Sequence, residues 1–208
     1  MPSRRIGIYG GSFDPIHLGH LLLAESCREQ LALDEVRFIP AHVSPFKLQQ
    51  KPSDAKERIE MLQLALAGQE AFSLDRREID RGGVSFTVDT LRSLHEELPD
   101  CEFFLLMGAD SLVDFLKWKD PQEICRLAWI AVVERGGHDG IRWDVLQGLM
   151  DQERYQKTLS MRVTMPIFEV SSTDLRQRAA SGKSLRFRTP RSVEQYIRGH
   201  ELYSQITQ

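Results

Sequence analysis

The chain lacks several features that would place it in a class at once. Cysteine is scarce: Cys27, Cys101 and Cys125 are the only three in 208 residues, an odd number set far apart with no C-x-x-C spacing. That excludes a disulfide-built scaffold and leaves free thiols of a reducing compartment, packed as small apolar residues. No run approaches the ~18 uninterrupted apolar residues of a membrane span. The start, "MPSRRIGIYGG", enters an apolar strand without the apolar segment of a signal peptide. A cytoplasmic protein with no membrane contact is expected. An excess of one charge is missing too: 27 Lys and Arg against 30 Asp and Glu leave a net charge of -3. Nucleic-acid surfaces are normally basic, so that partner class gains no support. Internal repeats and low-complexity tracts are also absent.

What remains is an ordinary globular composition, 41% hydrophobic and 27% charged, with length for one substantial core. We therefore expect a single domain over 1–208. Short apolar runs at 5–9, 35–41, 71–75, 102–108 and 128–134 read as strands, three of them nearly continuous, as parallel strands covered on both faces are. Between them lie helical stretches at 18–31, 53–68 and 87–98, with Ser53 or Asp54 and Thr87 available as caps and Gly68 and Pro99 as stops. The tail reads as a helix over 141–155, one more strand over 162–170 and two helices over 171–182 and 189–203. This alternation predicts an α/β fold: a doubly wound parallel sheet with a small helical C-terminal subregion. The stretch 42–52 has no clear periodicity and is a candidate binding loop or lid.

Gly7–His20, "GIYGGSFDPIHLGH", sits at the first strand-to-helix junction, where open parallel sheets bind ligands. Its glycines, at Gly7, Gly10 and Gly11, do not spell G-x-G-x-x-G, which disfavours a dinucleotide-dependent dehydrogenase. Two histidines, His17 and His20, stand around Gly19 instead. Gly10 and Gly11 allow close approach of the backbone to a phosphate, and the helix start favours an anion through its N–H groups and dipole. Three residues apart, His17 and His20 face one side of the first turn and can donate to phosphate oxygens. The same pattern also fits satisfied core or surface histidines, a tight turn, or a metal site with Asp14 as third ligand.

Three downstream stretches carry matching chemistry. In "RGGVSFTVDTL" (81–91), Thr87 at a helix start offers a hydroxyl and backbone N–H groups to a carboxylate, or caps its own helix. In "MGADSLVDFLKWKD" (107–120), Asp110 can accept from a ribose, and Trp118 offers a flat face to an electron-poor ring or packs at the edge. In "FEVSSTDLRQR" (168–178), Ser171, Ser172 and Thr173 open a helix and Arg176 lies one turn in, a second anion site or an ordinary capped helix.

"GGSFDPIHLGH" resembles the H/T-x-G-H motif of the nucleotidylyltransferase superfamily, whose Rossmann-like members transfer a nucleotidyl group from a triphosphate to a substrate phosphate. The other three stretches are similar, in order, to G-x-S-Y-T-x-D-T-L, G-A-D-S-x-x-x-F-x-x-W and I-S-S-T-x-x-R of the bacterial nicotinate mononucleotide adenylyltransferases. Nearly the whole chain is covered. The resemblance implies adenylyl transfer from ATP to nicotinate mononucleotide, with Mg2+ bound mainly through ATP phosphates, no nucleic-acid partner and a possible homo-oligomer. It implies His17 and His20 as the catalytic pair on the α- and β-phosphates, and Thr173 and Arg176 on the leaving pyrophosphate. Gly10, Gly11, Ser12, Phe13, Gly108, Asp110 and Ser172 complete the implied ATP site. The implied mononucleotide site is Lys47, Ser85, Phe86, Thr87, Asp110, Trp118 and Arg135. Lys183, Arg186, Arg188 and Arg191, in a C-terminal stretch resembling the family's closing segment, could screen a triphosphate or form a solvated basic face. Three departures stand out: Phe86 for the family's Tyr, Phe46 for its usual His, and "RGG" at 135–137 for R-P-G. Alternatives within the superfamily are the amide mononucleotide or another phosphate ester as substrate; outside enzymes, a nucleotide-sensing module.

Overall fold

The computed structural model describes residues 3–46, 52–135 and 140–204, the Arg135 side chain excepted. Among them six strands form one all-parallel sheet: β1 (Arg5–Gly11), β2 (Glu35–Pro40), β3 (Phe72–Leu74), β4 (Glu102–Gly108), β5 (Trp129–Arg135) and β6 (Arg162–Met165), in the order β3-β2-β1-β4-β5-β6. The order reverses between β1 and β4, so their carboxyl ends lie side by side, as the register Ile8↔Leu105 requires.

β4 sits at the centre because it is apolar on both faces. Phe103, Leu105 and Met107 join one core, Phe104 and Leu106 the other. Burying each such side chain contributes about 1.5–3 kcal/mol, which only a doubly covered strand can collect. The Phe104 and Leu106 core, here the first, is closed by α1 (Leu18–Gln30), α2 (Ala55–Leu66), α8 (Ser172–Ala180) and α9 (Arg191–Gly199). The second is closed mainly by α4 (Thr87–Glu97), α5 (Ala109–Val113) and α6 (Pro121–Leu127). The short α3 (Arg77–Arg81) follows β3, and α7 (Gln152–Leu159) follows β5. The C-terminal helices thus complete the layer begun by α1 and α2. No helix among the described residues is long and apolar enough to cross a membrane.

The expected sheet and fold class are present, with local differences. The stretch 141–155 is not one helix: a 3-10 turn over Trp143–Leu146 ends before Gly148 at φ 79, and α7 starts afresh where Asp151 accepts from the Arg154 amide. The last strand stops at Met165, since Pro166 cannot donate to a ladder. Phe86, not Thr87, is the N-cap of α4, and no side chain caps it. The buried residues of α1 are Leu23, Ala24, Ser26 and Cys27, with Leu21 and Leu22 partly buried against the same core. The short helices α3, α5 and α6 were not expected.

Position 58 departs from its helix's pattern. Arg58 shares the inward face of α2 with Ile59, Met61 and Leu62 and is 1% exposed. Its Nε donates to the Ser53 carbonyl at 3.1 Å, and its Nη1 donates to the carbonyls of Ser12 (2.9 Å) and Ala41 (2.8 Å). One guanidinium therefore binds the exits of β1 and β2 to the start of α2. Arg58→Met keeps the aliphatic stem and strands these buried carbonyls. A loss of about 3 kcal/mol is expected, read as a lower urea midpoint; an unchanged midpoint would show the carbonyls to be solvated.

Candidate active site

The segment joining β1 to α1, residues 12–17, has main-chain carbonyls turned away from water. Four of them, at Ser12, Asp14, Pro15 and Ile16, are satisfied from far along the chain. Arg58 serves Ser12, Arg176 Nη1 donates to Asp14 at 2.7 Å, the Ser172 hydroxyl to Pro15 at 2.9 Å and the Thr189 hydroxyl to Ile16 at 2.8 Å. The Leu18 amide in turn donates to the Arg188 carbonyl at 2.9 Å. The Asp14 carboxylate is 7% exposed and accepts from the Ser53 amide (3.1 Å) and the Tyr203 hydroxyl (2.7 Å). Burial first, then Asp14, pushes the Tyr203 phenol well above its ordinary pKa, so it stays a donor. Asp14 is thus committed within the protein, and no group of three His, Cys, Asp or Glu among the described residues could hold a metal ion.

This tethering sets the two imidazoles. His17 is the N-cap of α1 and buried; His20 is three residues on. Their rings stack at 3.6 Å between centroids, 17° apart, and the His17 backbone N–H donates to His20 Nδ1 at 3.2 Å. With Nδ1 an acceptor, a neutral His20 carries its proton on Nε2. Edge contacts from Phe13 (5.1 Å) and Tyr9 (6.1 Å) hold the His20 ring. Phe13 itself, at φ 48 and 2% exposed, lies in the core. The left-handed turn falls there and not at Gly10 or Gly11. Gly11 is needed because a Cβ would lie 3.0 Å from the Phe13 ring. At Gly19 a Cβ would lie 3.1 Å from His17 Nδ1. Gly19 therefore makes room for the imidazole stack.

A cavity of about 500 Å³ opens at the carboxyl ends of β1 and β4. It brings together Gly10, Gly11, Ser12 and His20 from the first motif with Gly108 and Asp110 after β4. Its far wall carries Ser85, Phe86 and Thr87 at the start of α4 and Trp118 beyond α5. Trp118 stands 6.1 Å from the exposed Phe46 ring, so two aromatic faces frame one end. Lys119 Nζ lies 4.6 Å from the Phe86 ring centroid and pairs with Asp89 at 2.9 Å.

The remaining expected residues fall elsewhere. His17 lies behind His20. Ser172, Thr173 and Arg176 reach the 12–17 segment from α8, with the Ser172 hydroxyl and one Arg176 nitrogen spent on its carbonyls and Arg176 Nη2 on the Thr173 hydroxyl at 3.3 Å. Ser171 caps α8 by accepting from the Asp174 amide. Of the basic stretch, Lys183, Arg186 and Arg191 are exposed, and Arg188 pairs with Asp174 at 3.8 Å. Lys47, the rest of the 47–51 segment and the Arg135 side chain lie outside the described residues. Sequence reasoning missed Arg58, Tyr203 and Glu78. Of these only Arg58 left a signal, as a charge on the apolar face of its helix.

A parallel sheet with paired imidazoles at the first helix start and an anion-receptive helix across a cavity defines a nucleotidyl-transfer type of site. Residues 8–178 match the family described as Cytidylyltransferase-like, and the chain belongs to that family. It is 42% identical over 198 residues to a Rhodopirellula baltica protein, covering 95% of this chain and 92% of that one. It is 40% identical over 203 residues to one from Thermus thermophilus, covering 96% and 99%. Both bear the name "Probable nicotinate-nucleotide adenylyltransferase". The Plasmodium falciparum nicotinic acid mononucleotide adenylyltransferase complexed with NaAD superposes with a TM-score of 0.71 at 17% identity, covering 97% and 98% of the two chains. At that identity the likeness speaks for the fold.

Gly19→Ala separates helix propensity from chemistry. Alanine is worth up to about 1 kcal/mol more than glycine inside a helix, while its Cβ displaces His17. The expected outcome is a melting temperature unchanged or raised together with a fall in turnover of at least about tenfold. Full activity would show that the stack does not need its observed spacing.

Proposed function

We propose that this protein transfers the adenylyl group of ATP to nicotinate mononucleotide, releasing pyrophosphate and forming nicotinate adenine dinucleotide, a step of NAD biosynthesis. The observation that carries the reading is the single cavity joining His20 and the glycine turn to the uncapped start of α4. The names of its close relatives support the same substrates.

The mononucleotide phosphate is already anionic, so one of its oxygens attacks the α-phosphorus without a protein base. The bond from the α-phosphorus to the bridging oxygen of the β-phosphate breaks, and pyrophosphate leaves with that electron pair. Catalysis is then positioning and charge stabilisation. His20 Nε2–H is aimed at an α-phosphate oxygen and His17 supports it from behind. Gly10 and Gly11 leave the backbone bare for the phosphate chain. Arg176 and Thr173 face the leaving group from α8, sharing that duty with their hold on Asp14. Gly108 and Asp110 flank the ribose. The pyridine ring lies by Trp118, and its carboxylate meets the first-turn amides and the Thr87 hydroxyl of α4, helped by the dipole of an eleven-residue helix. Phe86 supplies main chain here, so the hydroxyl of the family's Tyr is not required.

The donor set suits a magnesium ion carried by the nucleotide: Asp14 is committed, Asp110 is the exposed carboxylate at the cavity, and no three-ligand cluster occurs among the described residues. Bound through phosphate oxygens and water, Mg2+ would neutralise triphosphate charge.

An endpoint assay with ATP, Mg2+ and either nicotinate mononucleotide or its amide, resolved by chromatography, tests the reading. Strong preference for the acid is expected; equal or better use of the amide overturns the ring assignment. His20→Ala should lower kcat by about 10²–10³-fold with a native circular-dichroism spectrum. An unchanged kcat would remove His20 from the chemistry.

A further inference from the structure

Glu78, on α3, is 6% exposed and lines the cavity, yet the reaction needs no acid or base there. Its carboxyl accepts from the Thr90 hydroxyl at 2.6 Å and lies near enough to the Ser85 hydroxyl to feel it electrostatically. Thr90 lies one turn inside α4, and Ser85 lies just before that helix. Glu78 thus grips α4 on both sides of its start, across a connection that turns through Gly82 and Gly83 at φ 71 and 70. The Ser85 hydroxyl oxygen, close to Glu78, accepts from the His42 amide at 2.9 Å. The Ser85 amide donates to the Val43 carbonyl at 2.9 Å, and the His42 ring meets the Gly83 carbonyl at 3.0 Å. The loop after β2 and the start of α4, two walls of the cavity, are therefore joined through one serine that Glu78 orients.

We propose that Glu78 is the positioning residue of the mononucleotide site: by fixing Ser85 and Thr90 it aims the first-turn amides of α4 at the ring carboxylate. This rests on the assignment of the mononucleotide to this cavity. The residue is costly to keep. Burial raises the carboxyl's pKa, against the Thr90 and Ser85 hydrogen bonds and the Arg81 charge, with Asp75 adding repulsion. A raised carboxyl pKa means stability that is full at low pH and lost as pH rises through the folded-state value. At neutral pH a neutral side chain of the same shape therefore costs the fold little, and the loss should appear in binding.

Glu78→Gln, Ser85→Ala and the double variant would be compared at pH 7.5. The expected result for Glu78→Gln is a KM for nicotinate mononucleotide raised about tenfold, with the KM for ATP and kcat within twofold of wild type and the melting temperature not lowered. The double variant should be no worse than the poorer single variant, because both residues act through the same start of α4. Amide exchange in the ligand-free protein gives a readout independent of substrate: residues 84–88 should exchange faster in Glu78→Gln, with 103–107 unchanged. Additive effects, equal changes in both KM values, or unaltered exchange at 84–88 would overturn the proposal. A wild-type preference for the amide would overturn the substrate reading instead, and the exchange result would still decide the role of Glu78.

Discussion

The structure turns on the buried guanidinium of Arg58. A parallel sheet leaves strand exits as loops whose carbonyls must find donors, and residues 12–17 are too enclosed for water to supply them. Arg58 satisfies the Ser12, Ala41 and Ser53 carbonyls together, which no apolar side chain could do. It thereby sets the separation of the exits of β1 and β2 and the entry of α2. Arg176, Ser172 and Thr189 extend the same solution through Ile16. The imidazole stack is the last link: His17 can cap α1 where it does only because every residue before it is pinned.

Helix α8 carries part of the same solution. Arg176 holds the Asp14 carbonyl while its second terminal nitrogen donates to the Thr173 hydroxyl. A guanidinium has five donors, so these two bonds do not exhaust it. The C-terminal region is then no appendage. Tyr203 reaches back 189 positions to Asp14, and α9 packs on α2, so the chain's end takes part in shaping its beginning.

How much of this is legible in residue order depends on range. Strands β1, β2, β4 and β5 are plain because burial on both faces forces nearly continuous apolar runs. The β1–α1 motif is plain because glycines and imidazoles so close together have few other uses. Residues 141–155 mislead because an apolar pattern at helical spacing does not reveal that Gly148 takes a left-handed conformation. Helices α3, α5 and α6 are too short for periodicity to show. Arg58 could have been suspected from its place among Ile59, Met61 and Leu62. Glu78 and Tyr203 could not: an acid in a charged stretch and a tyrosine in a tail read as solvated.

The sequence by itself determined the α/β alternation and the turn of glycines and histidines at the first strand exit. These follow from local rules, burial period and helix-start chemistry, which act over a few residues. The tertiary structure alone decided which groups remain available to a substrate and which are consumed within the protein. Ser85, Ser172 and Asp14, candidate ligands by sequence, make hydrogen bonds within the protein, and a Cβ at Gly19 would crowd His17. The physical reason is that a hydrogen bond saturates. Whether a hydroxyl or carboxylate still has capacity depends on partners brought from 43, 157 and 189 residues away, and no local pattern encodes that distance.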